Sequence, residues 1–329
     1  MAIDLLGLQP HKVSRDLRGY SVFLYGGWKT GKTTIASKFP NALLLAFEKG
    51  YNALAGVIPQ PINSWGEFLT VCKQLKDEQV KERYETIIID TADIAYSYCE
   101  KYICQVNGVS TIPDIPYGKG YALVSAEFDE KLRSIVQLGY GIVIISHETD
   151  KTFKDETGAE YNKIVPTLDK RANNIVARMT DIIGYSRSVT DADGNNKTLL
   201  FMRGTPRFEA GSRFKYTPDY IEFTYKNLVN AISDAIDKQA QEDGEELFTD
   251  ERENAYRDTS SHLDFDELMK AFQDTIAEFS KDEKKMETYY APRITQIVDK
   301  FLGKGKKVNE MSRDQVEQLA LIVDDLKAL

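Results

Sequence analysis

Eight consecutive residues, Gly26-Gly27-Trp28-Lys29-Thr30-Gly31-Lys32-Thr33, fit the phosphate-loop pattern G-x-x-x-x-G-K-[ST]. An apolar run at 20–25 precedes them and a helix-competent run from Thr34 follows, which is the strand, loop and helix context of a true phosphate loop. Backbone N–H groups of such a loop bind phosphate oxygens. The pattern therefore predicts ATP binding by residues 26–34, with Lys32 beside the β- and γ-phosphates and the Thr33 hydroxyl as a ligand of Mg²⁺.

Polar residues close three further apolar runs. Residues 42–47 end at Glu48, residues 86–89 run into Asp90, and residues 141–146 end at His147. An apolar run that closes on an aspartate is the Walker B pattern, in which the carboxylate accepts hydrogen bonds from magnesium-bound water. The carboxyl ends of parallel strands share one edge of an open α/β sheet, where ligands bind. We therefore expect Glu48, Asp90 and His147 to meet the phosphate loop at that edge.

Composition excludes several other classes of protein. In 329 residues, no apolar run approaches the roughly 20 residues that cross a bilayer, and residues 1–13 lack a signal-peptide pattern. We expect a soluble, cytoplasmic protein without a membrane partner. The three cysteines, Cys72, Cys99 and Cys104, form no C-x-x-C pair, and there are only three histidines. Zinc sites and disulfides are therefore not expected, and the cysteines are interpreted as small buried side chains.

The chain divides into four predicted parts: a lead-in at 1–19, an α/β ATPase domain with a mainly parallel sheet at 20–238, an acidic linker at 239–261, and a small all-α domain at 262–329. Residues 238–329 hold 14 Lys and Arg against 22 Asp and Glu, a net of −8 in a chain of −9. Within the ATPase domain, polar residues 148–165 are expected to form a mobile loop, and Asp193-Gly194-Asn195 predicts a hairpin.

Several segments resemble one group of ATPases. They are Leu24-Tyr25-Gly26, the run Leu45 to Leu54 that contains Glu48, Tyr117-Gly118-Lys119-Gly120-Tyr121, and Ile144-Ile145-Ser146-His147. Together they resemble the RecA-like P-loop ATPases encoded by phages, including the Sak-type single-strand annealing or recombination proteins, over about residues 15–235. The resemblance implies a RecA-like core, Mg²⁺-dependent ATP hydrolysis, assembly into a ring or filament of identical chains, and action on single-stranded DNA.

The same resemblance implies roles for individual residues. Glu48 corresponds to the glutamate that polarises the attacking water, and His147 to the polar residue that senses the γ-phosphate. Residues 209–213 resemble the Ala-Lys-x-Arg finger of related oligomeric ATPases, which implies that Arg213 reaches a neighbouring subunit. Two positions depart from the pattern: Trp28 stands where a small residue or proline is common, and Gly211 stands where the finger has its lysine. A finger in this chain would therefore contribute one cationic side chain, that of Arg213, and not two.

Two segments are candidates for contact with DNA, at 105–121 and 148–165. Tyr117 and Tyr121 would stack on bases, and four lysines would meet phosphates, namely Lys119, Lys151, Lys154 and Lys163. The alternative is that both are ordinary flexible loops. The acidic C-terminal region is interpreted as a tether followed by a protein-binding or oligomerisation module, with a single-strand-binding or replication protein as a candidate partner.

Two other functions fit the same core. One is a replication ATPase, either a helicase or its loader, and the other is a nucleotide-gated binding module with little turnover. A metabolic kinase fits least well, because the sequence has no lid-like insertion and no second phosphate-acceptor pocket.

Overall fold

The computed structural model describes residues 10–191, 193–250 and 264–329. The described residues divide into two compact units, 10–250 and 264–329. The strands, in chain order, are β1 (Val13–Ser14), β2 (Ser21–Gly26), β3 (Ala42–Ala46), β4 (Ile58–Pro61), β5 (Thr86–Asp90), β6 (Gly141–Ile145), β7 (Glu148–Lys154), β8 (Glu160–Pro166), β9 (Ile182–Thr190), β10 (Asn196–Phe201), β11 (Gly211–Ser212), β12 (Tyr220–Glu222) and β13 (Phe248–Thr249). The α-helices are α1 (Lys32–Ala36), α2 (Trp65–Gln74), α3 (Glu78–Arg83), α4 (Ala92–Val106), α5 (Lys119–Gln137), α6 (Lys170–Met179), α7 (Tyr225–Asp243), α8 (Phe265–Phe279), α9 (Glu283–Lys285), α10 (Ala291–Leu302) and α11 (Val316–Lys327).

A nine-stranded sheet organises the first unit. Its order is β12-β10-β9-β2-β6-β5-β3-β4, and β11 also pairs with β9. The six strands from β9 to β4 are parallel, whereas β10, β11 and β12 join antiparallel at one side. This confirms an α/β P-loop fold with a mainly parallel sheet. Because β6 lies between β2 and β5, the residues that follow β6, Ser146 and His147, fall between the phosphate loop and Asp90.

Helices cover both faces of the sheet, so its central strands are buried throughout. Side chains alternate across each strand: in β2, Phe23 and Tyr25 face the core formed with α2, α4, α5 and α6, while Val22 and Leu24 face the core formed with α1 and α7. Strands buried on both faces read as continuous apolar runs, which is why the sequence reveals β2, β3, β5 and β6.

Two sequence-based expectations for this unit need correction. The predicted mobile loop at 148–165 is an antiparallel hairpin of β7 and β8, with Glu148 opposite Pro166. The predicted acidic linker begins inside α7, which continues to Asp243, and β13 then pairs with β1. The rest of that linker, from residue 251, lies outside the described residues, as do residues 1–9 of the lead-in.

The second unit is all helical, as expected. Helix α8 packs with α10 and α11 around an apolar core that includes Val298, Leu319 and Val323. A capping box precedes α11, since the Ser312 backbone N–H donates to Oε1 of Gln315 at 3.1 Å. In the described part of the chain, no helix has the length and apolarity that crossing a membrane requires.

Candidate nucleotide site

The phosphate loop joins the end of β2 to α1 and depends on glycine at its first position. Gly26 has φ of +146°, and a Cβ there would lie 2.1 Å from the backbone oxygen of Ser186 on the neighbouring β9. Lys29 and Gly31 adopt φ of 61° and 87°. Alternation of left- and right-handed residues turns successive N–H groups toward one concavity, which favours an anion. The backbone is therefore shaped as a phosphate cradle.

Lys32 is buried at the base of this loop. Its Nζ donates to the carbonyl oxygens of Gly26 at 2.9 Å and Gly27 at 2.7 Å. Burial lowers the pKa of Lys32 to about 8, against the opposing effect of nearby carboxylates, of which Asp90 contributes most. The side chain thus places a cation beside the cradle, where phosphate oxygens would meet it.

Thr33 and Asp90 form the predicted metal-binding pair. The Thr33 hydroxyl donates to Oδ2 of Asp90 at 2.7 Å, although 57 residues separate them. Burial raises the pKa of Asp90, and the bond from Thr33 opposes this effect. A hydroxyl and a carboxylate oxygen at one point are donors that Mg²⁺ prefers. The residues present therefore fit a magnesium ion.

Glu48 lies at the same edge because the turn after β3 is fixed to the end of β5. The backbone N–H groups of Phe47 and Glu48 both donate to the Asp90 carbonyl oxygen, at 2.7 and 3.1 Å. Oε1 of Glu48 accepts a hydrogen bond from the Thr91 hydroxyl at 3.0 Å and lies 3.4 Å from Nε2 of His147. The carboxylate is thus held from two sides.

His147 follows β6 and completes the cluster. Its carbonyl oxygen accepts from the Thr167 backbone N–H at 3.0 Å, which fixes the backbone at this point. The exposed ring of Trp28 stands edge-on to the imidazole, with ring centroids 6.4 Å apart. Among the described residues, Nδ1 of His147 is buried and has no hydrogen-bond partner. Because buried polar atoms are usually paired, this nitrogen is a candidate contact for a substrate oxygen.

The structure therefore brings Lys32, Thr33, Glu48, Asp90 and His147 to one edge of the sheet, as the sequence predicts. The remaining loop residues line the rim: Trp28, Lys29 and Thr34 are exposed, and Thr30 is buried. The Thr30 hydroxyl lies 2.8 Å from the Ser186 hydroxyl, which ties the loop to β9.

Sequence reasoning missed Glu148 and Ser186. Oε1 of Glu148 would lie 3.3 Å from a Cβ on Gly27, so this carboxylate borders the phosphate loop. The buried Tyr185 has its pKa raised by burial and by Glu148. The position of Glu148 directly after His147 was an available signal. No signal in the sequence identified Ser186, because a serine inside a strand does not reveal which neighbouring strand or loop its side chain contacts.

Arg213 lies away from this cluster. Its guanidinium donates to Oδ1 of Asp181 at 2.9 Å and to the carbonyl oxygen of Arg178 at 2.7 Å. Asp181 precedes β9, whose fifth residue, Ser186, pairs with Gly26. Five residues of strand place Arg213 about 16 Å from the loop, at the opposite edge of the sheet. Arg213 therefore does not reach the site of its own chain.

The candidate DNA-contacting residues occupy two separate places. Tyr117 is 95% exposed and has φ of 62°, and Nζ of Lys119 lies 5.9 Å from its ring centroid. Tyr121 is instead covered by the Arg171 guanidinium at 4.1 Å. On the β7–β8 hairpin, Lys163 pairs with Glu209 at 3.1 Å. Tyr117 is thus exposed to solvent with Lys119 beside it, and both could meet a ligand. Tyr121 and Lys163 instead have partners within the chain.

Comparison with known proteins gives two matches. The sequence pattern of the AAA domain family matches residues 18–214, which include every residue of the site described above. The chain is also similar to the SPbeta prophage-derived uncharacterized protein YorG of Bacillus subtilis (strain 168). The two are 35% identical over 335 aligned residues, which cover 100% of this chain and 99% of the relative.

Proposed function

The chain belongs to the AAA domain family, and from that premise we propose that it is a Mg²⁺-dependent ATP hydrolase of phage origin that acts on single-stranded DNA in recombination or annealing. The observation that carries the proposal is the convergence of a phosphate loop, a Thr33–Asp90 pair and the Glu48 carboxylate at one sheet edge. The similarity to a prophage-derived protein over its full length supports the phage origin.

Hydrolysis is proposed to occur by in-line attack of water on the γ-phosphorus of ATP, the substrate. The new P–O bond forms as the bond to the β,γ-bridging oxygen breaks, and ADP and phosphate leave. Glu48 orients this water and accepts its proton, while the Thr91 hydroxyl, at 3.0 Å from Oε1, keeps the carboxylate in place. Lys32 offsets the charge that develops on the phosphate oxygens. Mg²⁺, held by Thr33 and Asp90, would supply further positive charge. His147 contacts the γ-phosphate from the end of β6.

Arg213 is proposed to complete the site of a neighbouring subunit. Its side chain is 60% exposed and lies at the sheet edge opposite its own phosphate loop. A residue in that place serves catalysis only when another copy is positioned against it, so the proposal implies a homo-oligomer. An arginine supplied in this way stabilises the charge of the transition state.

Contact with DNA is proposed for Tyr117 and Lys119. A non-glycine residue in left-handed backbone is costly and recurs at functional sites. Here that backbone holds an almost fully exposed aromatic ring 5.9 Å from a lysine cation. Aromatic rings beside cations bind single strands by base stacking and phosphate contact.

The test is ATP turnover with and without single-stranded DNA, for the wild type, Lys32→Ala and Glu48→Gln. We expect DNA to stimulate the wild type and both variants to lose turnover. Glu48→Gln should retain nucleotide affinity, because amide and carboxylate have the same shape and only water activation is removed. Turnover of Glu48→Gln equal to that of the wild type would show that Glu48 is not the general base.

A further inference from the structure

The C-terminal unit separates its charges along the chain. Residues 284–307 contain seven Lys and Arg against two Asp and Glu, a net of +5. The other described residues of the unit, 264–283 and 308–329, contain four against twelve, a net of −8. A local basic segment in an acidic protein is the electrostatic footprint of an anionic partner.

The cations of this segment are presented to solvent. Within the described residues, no carboxylate oxygen lies within 4.0 Å of four of them, Lys285, Arg293, Lys304 and Lys307. Arg293 is exposed on α10, and the other three are exposed in the segments that flank this helix. The chain turns after α10 at Gly303, where φ is 92°, and Lys304 and Lys307 follow directly. These charges are therefore available to a ligand.

Aromatic rings lie beside two of these cations, Lys285 and Arg293, just before α10 and at its start. A single π-helical turn, Met286–Tyr290, precedes Pro292, which cannot donate a backbone hydrogen bond. The Arg293 guanidinium carbon lies over the Tyr289 ring, 3.8 Å from its centroid. Nζ of Lys285 lies 4.9 Å from the centroid of Tyr290, which stacks on Phe279 at 4.1 Å. The result is a group of aromatic rings beside exposed cations.

We propose that the basic–aromatic surface, defined as Lys285, Tyr289, Arg293, Lys304 and Lys307, binds single-stranded nucleic acid. Cations alone would accept any polyanion, but the exposed guanidinium plane backed by Tyr289 provides a stacking surface for an unpaired base. Duplex DNA keeps its bases stacked internally and cannot use that surface. This surface would be a second contact for the single-stranded DNA of the proposed function, in addition to Tyr117 and Lys119. The inference rests on that proposed function.

The experiment measures the binding of fluorescently labelled oligo-dT and oligo-U, each of 20 nucleotides, by fluorescence anisotropy over a range of salt concentrations. The full chain is used in the Lys32→Ala background without nucleotide, so that failure of the proposed ATPase does not affect the result. The test variant combines Arg293→Glu, Lys304→Glu and Lys307→Glu. The control combines Lys270→Glu, Lys281→Glu and Lys327→Glu, which are exposed in the same unit and change its net charge equally.

We expect the test variant to bind at least 10-fold more weakly and to reduce the slope of log K against log salt by about 2, since each phosphate contact on a single strand contributes about 0.7. The control should stay within twofold of the parent. Tyr289→Ala should weaken binding about 10-fold, and Tyr289→Phe should restore it. Circular dichroism would confirm that each variant is folded.

Three results would overturn the inference. They are equal loss in the test and control variants, absence of oligonucleotide binding by the parent, and equally tight binding of a poly-glutamate peptide. The last would indicate an acidic protein partner. ATP turnover by the wild type together with any of these results would leave the proposed ATPase intact.

Discussion

Oε1 of Glu48 lies 3.4 Å from Nε2 of His147, although 99 residues separate the two in the chain. The contact exists because β3 and β6 flank β5 in the sheet and end at the same edge. It places the group proposed to activate water beside the group proposed to contact the γ-phosphate. The Thr91 hydroxyl holds the same carboxylate oxygen from the other side.

Thr91→Val should slow ATP hydrolysis about 5-fold, because loss of one orienting hydrogen bond of about 1 kcal/mol leaves the Glu48 carboxylate freer to turn. Nucleotide affinity should not change, since Thr91 contacts Glu48 and not the phosphate loop. Steady-state turnover and equilibrium nucleotide binding measure the two effects. Thr91→Ser keeps the hydroxyl and should retain wild-type turnover; a loss as large as that of the valine variant would argue against a positioning role.

Thr33→Val should raise the Mg²⁺ concentration needed for half-maximal turnover by 10-fold or more, because it removes one of the two oxygen donors proposed for the ion. Thr33→Ser keeps the donor and should follow the wild-type curve. The measurement is turnover at fixed ATP across a Mg²⁺ titration. Identical titration curves for the valine and serine variants would place the metal elsewhere.

Gly26→Ala should destabilise the protein by about 3 kcal/mol, because its Cβ would lie 2.1 Å from the Ser186 backbone oxygen, where nothing flexible can yield. Gly56→Ala provides the matched control. Gly56 also has positive φ, +78°, but among the described residues, apart from its own chain neighbours, no atom lies within 4 Å of the added Cβ, so only backbone strain of about 1 kcal/mol is expected. Urea unfolding measures the free energy of unfolding of both variants. Equal losses of stability would contradict the predicted steric conflict between the new Cβ at position 26 and Ser186.

ATP binding should change the fluorescence of Trp28, which is one of two tryptophans and is 81% exposed on the phosphate loop beside His147. The other, Trp65, is buried in the core and should not respond. The measurement is an emission spectrum during an ATP titration. Trp28→Phe should abolish the change; a persisting signal would have to come from Trp65.

Mixing two inactive variants should restore part of the turnover if Arg213 acts between subunits. Arg213→Ala keeps Glu48 but lacks the arginine, whereas Glu48→Gln keeps the arginine, so mixed oligomers contain some complete sites. Random mixing of equal amounts predicts turnover near a quarter of the wild-type value, provided that each site depends on one neighbour. Turnover of the mixture no higher than that of the separate variants would contradict action in trans.

The sequence predicted the buried parts of the fold best. Strands such as β5 and β6 lie between two layers of helices, so burial on both faces imposes an uninterrupted apolar run that is easily read. The same runs located Glu48, Asp90 and His147, because each lies at the carboxyl end of its strand.

The hairpin of β7 and β8 was missed for the opposite reason. It lies outside the core, and Phe153 is the one apolar side chain in β7, so no alternating pattern marks it. Its turn did leave a signal: Oδ1 of Asp155 accepts from the backbone N–H groups of Thr157 and Ala159, at 2.8 and 2.9 Å. The place of Arg213 could not be predicted either, since its pairing with Asp181 depends on tertiary packing.

Only Ser146 and His147 stand between the end of β6 and the start of β7. The hairpin of β7 and β8 is therefore joined to the proposed nucleotide site by only two residues, one of which is His147. A spectroscopic label at Thr157, near the tip of the hairpin and between the two strands, would report movements that begin at His147 without altering the residues proposed to bind the nucleotide.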